Sequence, residues 1–151
     1  MYLTPEQKNR YKIMSFDKCA EYCSKHHTKS SVIISIVTRD GDVKDKIRIT
    51  EDNNVKDILY LRFCDFEIED APDICMQNED AKKVAKFINK WYGKIDTIIV
   101  HCEGGISRSA GVCAAIMKVK EGSDWSIFDN KQKHPNMTCY LRTLKAFGYK
   151  V

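Results

Sequence analysis

The chain has 151 residues, of which 43% are hydrophobic and 30% charged, and its formal net charge is +4. This length suits one domain with a sizeable core, so we predict a single domain over residues 1–151. No run of residues approaches the roughly 18 apolar residues that span a membrane, and the N-terminus lacks the apolar core of a secretory signal. We therefore expect a cytoplasmic protein that does not bind a membrane. We also expect no nucleic-acid partner, and a monomer is favoured.

The first half of the chain predicts one helix followed by strands. Residues 15–26 have the composition of a helix that begins after Ser15 as its N-cap. Residues 31–37, SVIISIV, form a β-branched run that is typical of a strand buried on both faces. Further along we predict a turn over residues 39–42, an alternating strand over 46–50 and another strand over 57–63.

The second half alternates helices with one buried strand. Residues 78–93 have an acidic first turn, helical apolar spacing and a glycine at the end, and residues 96–100, DTIIV, predict a short buried strand. A helix rich in small residues follows, and two more helical stretches lie near 124–132 and 137–147. This order predicts a three-layer α/β/α fold around a central, mostly parallel sheet.

Seven cysteines are present, and their odd number in a chain of this length without a signal peptide favours free thiols in a reducing compartment. Cys19 and Cys23 lie near His26 and His27 in the sequence, where a metal could bind. Their spacing does not match a C-x2-C zinc pattern, so we expect no metal and no cofactor.

The most informative stretch is HCEGGISRSAG, residues 101–111, between a predicted buried strand and a predicted helix. Backbone N–H groups at such a junction converge with the helix dipole to make an anion site. Gly104 and Gly105 allow the backbone to approach a ligand closely, and Arg108 offers a bidentate fork to phosphate oxygens. Cys102 would feel the same positive potential, which lowers a thiol pKa and produces a nucleophilic thiolate. Since C-x5-R alone is a weak signal, the flanking strand, glycines and helix carry the prediction.

The same residues resemble the H-C-x-x-G-x-x-R-[ST] loop of the cysteine-dependent protein tyrosine phosphatases, most of all the dual-specificity branch. The segment LRFCDFE is similar to the family's strand and general-acid loop. HPNMTCYLRTL is similar to the branch's late S-P-N segment, with His134 in place of serine. The resemblance runs from about residue 31 to the end of the chain and is closest to compact bacterial and phage members. It implies the tyrosine phosphatase-like fold and a metal-independent phosphatase.

The resemblance also implies roles for individual residues. Cys102 would be the nucleophile, Arg108 would bind the phosphoryl oxygens, and Ser109 would stabilise the Cys102 thiolate as leaving group. His101 would steady the loop and tune the thiolate, and Asn136 would brace the loop. The phosphate would be bound by the backbone of Glu103, Gly104, Gly105, Ile106, Ser107 and Arg108.

The general acid has two candidates in the acidic loop 64–73. The chemistry needs a carboxyl group that protonates the leaving oxygen and later takes a proton from water. The resemblance implies both: alignment of LRFCD on the family's strand end selects Asp65, whereas the family's commonest spacing from the nucleophile selects Asp70. We favour Asp65, because loop length varies more readily than the strand end.

The expected partner is a phosphorylated protein or peptide. Phosphotyrosine is the expected substrate, and phosphoserine and phosphothreonine come second because no long insertion deepens the pocket. A phosphoinositide or RNA 5′-phosphate substrate, a non-catalytic phosphate-binding module and a sulfur-transfer or arsenate-reducing enzyme are the alternatives. Lysine and arginine are absent from the five residues between Cys102 and Arg108, which argues against highly charged substrates.

Two further features have alternative interpretations. Cys64 could form a redox pair with Cys102, although a free core thiol is favoured. One predicted helix has a basic face that could attract anionic substrates, although an ordinary solvated surface is favoured. That face comprises Lys82, Lys83, Lys86 and Lys90.

Overall fold

The structure is a computed structural model that describes residues 3–38 and 54–151. Within those ranges, no helix has the length and apolar character needed to cross a membrane. The predicted turn at 39–42 and strand at 46–50 lie outside the described residues.

A four-stranded parallel sheet forms the centre of the fold, in the order β1-β4-β2-β3. The strands are β1 Tyr11–Met14, β2 Ser31–Val37, β3 Val55–Arg62 and β4 Thr97–His101. The three strands predicted within the described residues are present, each within two residues of its expected limits. Strand β1 was not predicted, because it is a four-residue edge strand whose pattern is too short to stand out.

Helices cover both faces of this sheet. They are α1 Pro5–Asn9, α2 Phe16–Cys23, α3 Asn78–Trp91, α4 Arg108–Glu121, α5 Trp125–Phe128 and α6 Met137–Ala146. Ser15 caps α2 as predicted, because its hydroxyl accepts a hydrogen bond from the Lys18 N–H at 3.2 Å. The helix expected near 124–132 is reduced to the single turn of α5.

The alternation of side chains along the buried strands explains the layers. Ile34 and Val100 point into the main core, which α3, α4 and α6 cover. Ile33 and Ile99 point to the opposite face, where they pack with Cys19 of α2. The predicted α/β architecture is therefore confirmed, with apolar residues on both faces of the central strands, as expected for a parallel sheet.

The topology also fixes where a site can form. All four strands are parallel, so their carboxyl ends meet at one edge of the sheet, which is where ligands bind in folds of this type. Strand β4 lies between β1 and β2 in the sheet and ends at His101, directly before the glycine-rich loop. The loop therefore emerges at the middle of the sheet, flanked by the ends of neighbouring strands.

Candidate active site

The loop 102–107 joins the end of β4 to the start of α4 and closes around the Cys102 thiol. Its close packing depends on Gly105, which has φ of +68°. A Cβ atom there would lie 2.7 Å from the Met14 carbonyl carbon and from the Ser15 nitrogen, a distance at which backbone atoms would have to move. Phe16 N–H also donates to the Glu103 carbonyl at 3.1 Å. The loop is thus fixed against the segment between β1 and α2, and residue 105 must be glycine.

Cys102 lies at the base of this loop and is only 3% exposed. Burial alone would raise the pKa of its thiol, but the Ser109 hydroxyl, 3.1 Å from Sγ, acts in the opposite direction. Backbone N–H groups of Ser109 and Gly105 and the charge of Arg108 add to that effect. The resulting pKa of Cys102 is lower than that of an ordinary cysteine, which favours the thiolate form.

His101 is buried beneath the nucleophile and supports it without a charge. Burial lowers its pKa, and the positive charge of Arg108 lowers it further. Its Nδ1 lies 3.2 Å from the Cys102 carbonyl and its Nε2 lies 2.6 Å from the Ser35 hydroxyl. Because a carbonyl only accepts, we assign the proton to Nδ1, and Nε2 then accepts from Ser35.

Arg108 is the first residue of α4 and is also buried, at 5% exposure. Its Nη1 donates to the Phe63 carbonyl at 2.8 Å, just beyond the end of β3. This bond holds the guanidinium against the segment that follows β3, and its charge is close enough to lower the pKa of Cys102. Ser109 contacts the Cys102 thiol directly, and the catalytic roles of the three residues stay predictions.

A second segment, residues 133–136, holds the outer side of the loop. Lys133 Nζ donates to the Gly105 carbonyl at 2.5 Å, and the His134 N–H donates to the Ile106 carbonyl at 3.0 Å. The Asn136 N–H donates to the Ser107 carbonyl at 3.0 Å. These three bonds engage the loop carbonyls, while the N–H groups of Gly105 and Ser109 are directed to the Cys102 thiol, as an anion site requires.

The two candidate acids lie in different surroundings. Asp65 Oδ1 accepts from the Ser107 hydroxyl at 2.8 Å and from Asn136 Nδ2 at 3.0 Å, so its carboxylate contacts the loop. Asp70 is exposed in a turn where its backbone N–H donates to the Glu67 carbonyl at 3.1 Å. Glu67 instead caps α6, since its carboxylate accepts from the backbone N–H groups at the start of that helix. The geometry favours Asp65 as the carboxyl group beside the loop.

Three supporting residues were not predicted from the sequence. Ser35 holds His101, Thr38 donates to the Glu103 carboxylate, and Lys133 holds Gly105. A serine inside the buried run SVIISIV was a usable signal, because a polar side chain there needs a partner. Thr38 and Lys133 carry no such signal, since they meet the loop only through the tertiary fold.

The remaining cysteines and histidines take other positions. Cys19 and Cys23 are buried under the sheet, while the His27 ring stacks on Tyr22 and its Nε2 contacts the Tyr22 carbonyl at 2.8 Å. Among the described residues there is no group of three side chains suited to hold a metal ion. Cys64 is half-buried as a free thiol, and Cys113 and Cys139 are buried as expected for core thiols.

Comparison with solved structures places this architecture among known folds. A mouse putative dual specificity phosphatase complexed with zinc tungstate matches at TM-score 0.63 and 14% identity, covering 98% of this chain and 91% of that one. A variant of human DUSP28 matches at TM-score 0.62 and 16% identity, covering 95% and 92%. Tk-PTP in its active form matches at TM-score 0.57 and 15% identity, covering 96% and 97%.

These likenesses show that the chain has the fold of the dual-specificity and tyrosine phosphatases, as the sequence predicted. Sequence comparison adds nothing to this: no family model matches, and no curated protein matches.

Proposed function

We propose that this protein is a metal-independent phosphoprotein phosphatase that hydrolyses phosphotyrosine, and secondarily phosphoserine and phosphothreonine, through a cysteinyl-phosphate intermediate. The observation that carries this proposal is the buried Cys102 thiol, with its lowered pKa, enclosed by a loop that supplies N–H groups and Arg108. A phosphate dianion in that loop would stand directly in front of a nucleophile. The phosphatase-like fold supports the same conclusion.

In the first step the Cys102 thiolate attacks phosphorus, an S–P bond forms and the P–O bond to the leaving group breaks. Arg108 and the loop N–H groups stabilise the charge on the phosphoryl oxygens. Asp65 transfers its proton to the departing oxygen, and its Oδ1 contacts with Ser107 and Asn136 orient it for that transfer.

In the second step water attacks the cysteinyl-phosphate and the S–P bond breaks. The Asp65 carboxylate takes the proton from water, and Cys102 leaves as a thiolate. The Ser109 hydroxyl, 3.1 Å from Sγ, donates to that thiolate and stabilises it. No step calls for a metal or an external cofactor.

Charge near the loop bears on the substrate class. Glu103 adds a carboxylate at the mouth, but Lys133 brings an ammonium group against Gly105 that the loop sequence alone does not reveal. A phosphoinositide and an RNA 5′-phosphate therefore belong in the substrate comparison beside phosphotyrosine and phosphoserine peptides.

The test is hydrolysis of an aryl phosphate in the presence of EDTA, comparing wild type with Cys102→Ser. We expect turnover by wild type in EDTA, none by the variant, and faster turnover of phosphotyrosine peptides than of inositide or RNA substrates. A folded wild type without turnover would refute the enzyme proposal, and loss of turnover in EDTA would refute the metal-independent mechanism.

A further inference from the structure

An apolar groove of about 410 Å³ lies along the first turns of α6. We call it the α6 groove; its apolar wall consists of Ile68, Met137 and Leu141. These three side chains are 38%, 40% and 42% exposed, which is unusual for large apolar residues that lie next to one another. Glu67 and Glu69 also line the groove.

The α6 groove is rigidly joined to the candidate active site. Asn136 is the N-cap of α6 and also donates to Asp65 and to the Phe66 carbonyl. Ile68 N–H donates to the Thr138 hydroxyl at 2.9 Å, which fixes the acid loop against the same helix. The groove therefore begins where the phosphate loop and the acid loop meet.

A positively charged hollow of about 350 Å³ continues from the far end of the groove. Lys82, Arg142 and Lys145 line it, and Arg142 also lines the groove, so the two adjoin at this side chain. Arg142 is directed by its bond to the Met76 carbonyl at 2.5 Å, and Lys82 contacts Glu79 at 3.3 Å. The described lining of this basic hollow contains these three cations and no carboxylate, whereas Glu67 and Glu69 line the neighbouring groove, so the positive charge is local to the hollow.

The spacing of these features matches an extended peptide. An α-helix rises about 1.5 Å per residue, so Leu141 lies roughly 7–8 Å along α6 from Asn136 and Lys145 roughly 13–14 Å. An extended peptide advances about 3.3–3.6 Å per residue. An extended chain would therefore pass Leu141 about two residues beyond Asn136 and Lys145 about four residues beyond it. Counted from a phosphorylated residue up to one residue before Asn136, these become two or three residues and four or five.

We propose that the α6 groove and the basic hollow bind the segment of the substrate protein that flanks its phosphorylated residue. An apolar side chain two or three residues away packs on Ile68, Met137 and Leu141. An acidic side chain four or five residues away meets Lys82 and Lys145. This inference rests on the proposed phosphatase function and assigns its substrate preference. It is supported by the apolar wall of the groove, by the cations of the adjoining hollow and by the hydrogen bonds that join α6 to the phosphate loop and the acid loop.

The experiment uses synthetic phosphotyrosine peptides with leucine or glycine at the third residue and glutamate or lysine at the fifth, on either side of the phosphotyrosine. For one of the two directions, we expect leucine to raise kcat/KM about tenfold over glycine. Glutamate should raise it about two- to fivefold over lysine, and this gain should fall with added salt.

Three variants test whether these peptide preferences arise from the α6 groove and the basic hollow. Leu141→Ala should remove the leucine preference, and Lys145→Glu should reverse the glutamate preference. Lys83→Glu is the matched control, because it makes the same charge change on an exposed residue of α3 that does not line the hollow. Turnover of p-nitrophenyl phosphate should be unchanged in all three variants, since this substrate has no flanking segment.

The same peptides are also titrated against Cys102→Ser, so that binding is measured without turnover. Equal affinities and equal kcat/KM for every peptide would overturn the inference, as would preferences that survive both variants. Phosphoinositide vesicles provide another outcome: if they are turned over faster than the peptides and Lys145→Glu abolishes that gain, the basic hollow binds a lipid surface and the inference is wrong. Absence of p-nitrophenyl phosphate turnover would instead refute the proposed function, and the binding series would still decide the inference.

Discussion

Two opposing effects act on the pKa of the Cys102 thiol, and their balance favours the nucleophilic thiolate. Burial penalises the charged form, while the Ser109 hydroxyl, nearby N–H groups and Arg108 favour it. A buried cysteine without such donors behaves differently: burial raises the pKa of Cys113 to about 12. The contrast shows that the loop, rather than burial, is responsible for the lowered pKa of Cys102.

Asp65 and Asp70 can be separated by single substitutions on a substrate with a poor leaving group. Asp65→Asn should lower kcat by roughly 10²–10³-fold, because the leaving oxygen would no longer receive a proton. Asp70→Asn should leave kcat nearly unchanged. On p-nitrophenyl phosphate, whose leaving group needs less protonation, the loss in Asp65→Asn should be smaller.

Steady-state kinetics on phenyl phosphate and p-nitrophenyl phosphate measure this difference, with circular dichroism as the check on folding. If only Asp70→Asn lowers kcat, the assignment of Asp65 is wrong and its contact with Ser107 serves only to hold the loop.

Residues of the candidate site could be predicted from the sequence where they lie close together in the chain. Cys102, Gly105, Arg108 and Ser109 lie within eight positions, so their spacing could be recognised before the fold was known. Lys133 meets Gly105 across 28 positions, and no local pattern encodes that distance. The choice of Asp65 over Asp70 also needed the strand end as an anchor, and the structure places Asp65 against Ser107.

Among the helix pairs of the described residues, α4 and α6 pack most extensively against each other. Gly111 of α4 faces the start of α6, where a Cβ atom would lie 2.4 Å from the Asn136 carbonyl oxygen and 3.0 Å from Cys139 Cβ. Close packing of α4 on α6 therefore requires glycine at position 111, which explains one of the small residues noted in this helix from the sequence. Asn136 also donates a hydrogen bond to Asp65, so the position of this candidate acid depends on how closely α6 packs against Gly111.

Gly111→Ala should consequently affect both stability and turnover. The added methyl group would push the N-terminus of α6 away, at a cost of about 1–3 kcal/mol in the free energy of unfolding. The hydrogen bond from Asn136 to Asp65 would lengthen, so kcat on phenyl phosphate should fall more than kcat on p-nitrophenyl phosphate.

Urea unfolding and kinetics on the two substrates measure these effects. Lys118→Ala, at a half-buried position two turns further along the same helix, is the control and should change neither quantity. Unchanged stability in Gly111→Ala would contradict the close packing of α4 on α6.

The prediction of elements succeeded where the pattern was long and regular. Strand β2 and helix α3 have strong apolar patterns, and both appear within two residues of the predicted limits. Strand β1 has only four residues and owes its place to pairing with β4, which a local pattern does not reveal. The helix near 124–132 was overestimated: it ends at Phe128, and beyond it the Asn130 side chain accepts a hydrogen bond from the Gln132 N–H at 2.9 Å, a local bond that competes with helix formation.

At the scale of the whole molecule, a buried carboxylate ties three elements together away from the candidate site. Glu121 ends α4 and is 8% exposed. It accepts hydrogen bonds from Arg10 before β1, from Tyr11 in β1 and from Tyr92 after α3, at 2.7–2.9 Å. The active-site loop lies at the other end of α4, so this cluster anchors the helix whose first turn carries Arg108.

The cluster makes stability depend on pH in a direction that follows from the pKa of Glu121. Burial alone would raise that pKa, but the two tyrosine hydroxyls and Arg10 outweigh it and lower the pKa. A carboxyl group whose pKa is lower in the folded state stabilises the fold above its unfolded pKa of about 4.3, and this contribution is lost as the pH falls through the folded value.

Glu121→Gln should therefore lower the free energy of unfolding by about 2–4 kcal/mol at pH 7, because Arg10 and the tyrosines lose a charged acceptor. The difference from wild type should begin to shrink as the pH falls below about 4.3, where the unfolded chain takes up the proton, and it should be lost only below the lower folded pKa of Glu121. Urea unfolding followed by circular dichroism at pH 7, 5 and 3.5 measures this convergence. Glu21→Gln, which removes an exposed carboxylate paired with Lys25, should match wild type at pH 7. A difference between Glu121→Gln and wild type that stays constant with pH would show that the fold depends on the shape of this residue and not on its charge.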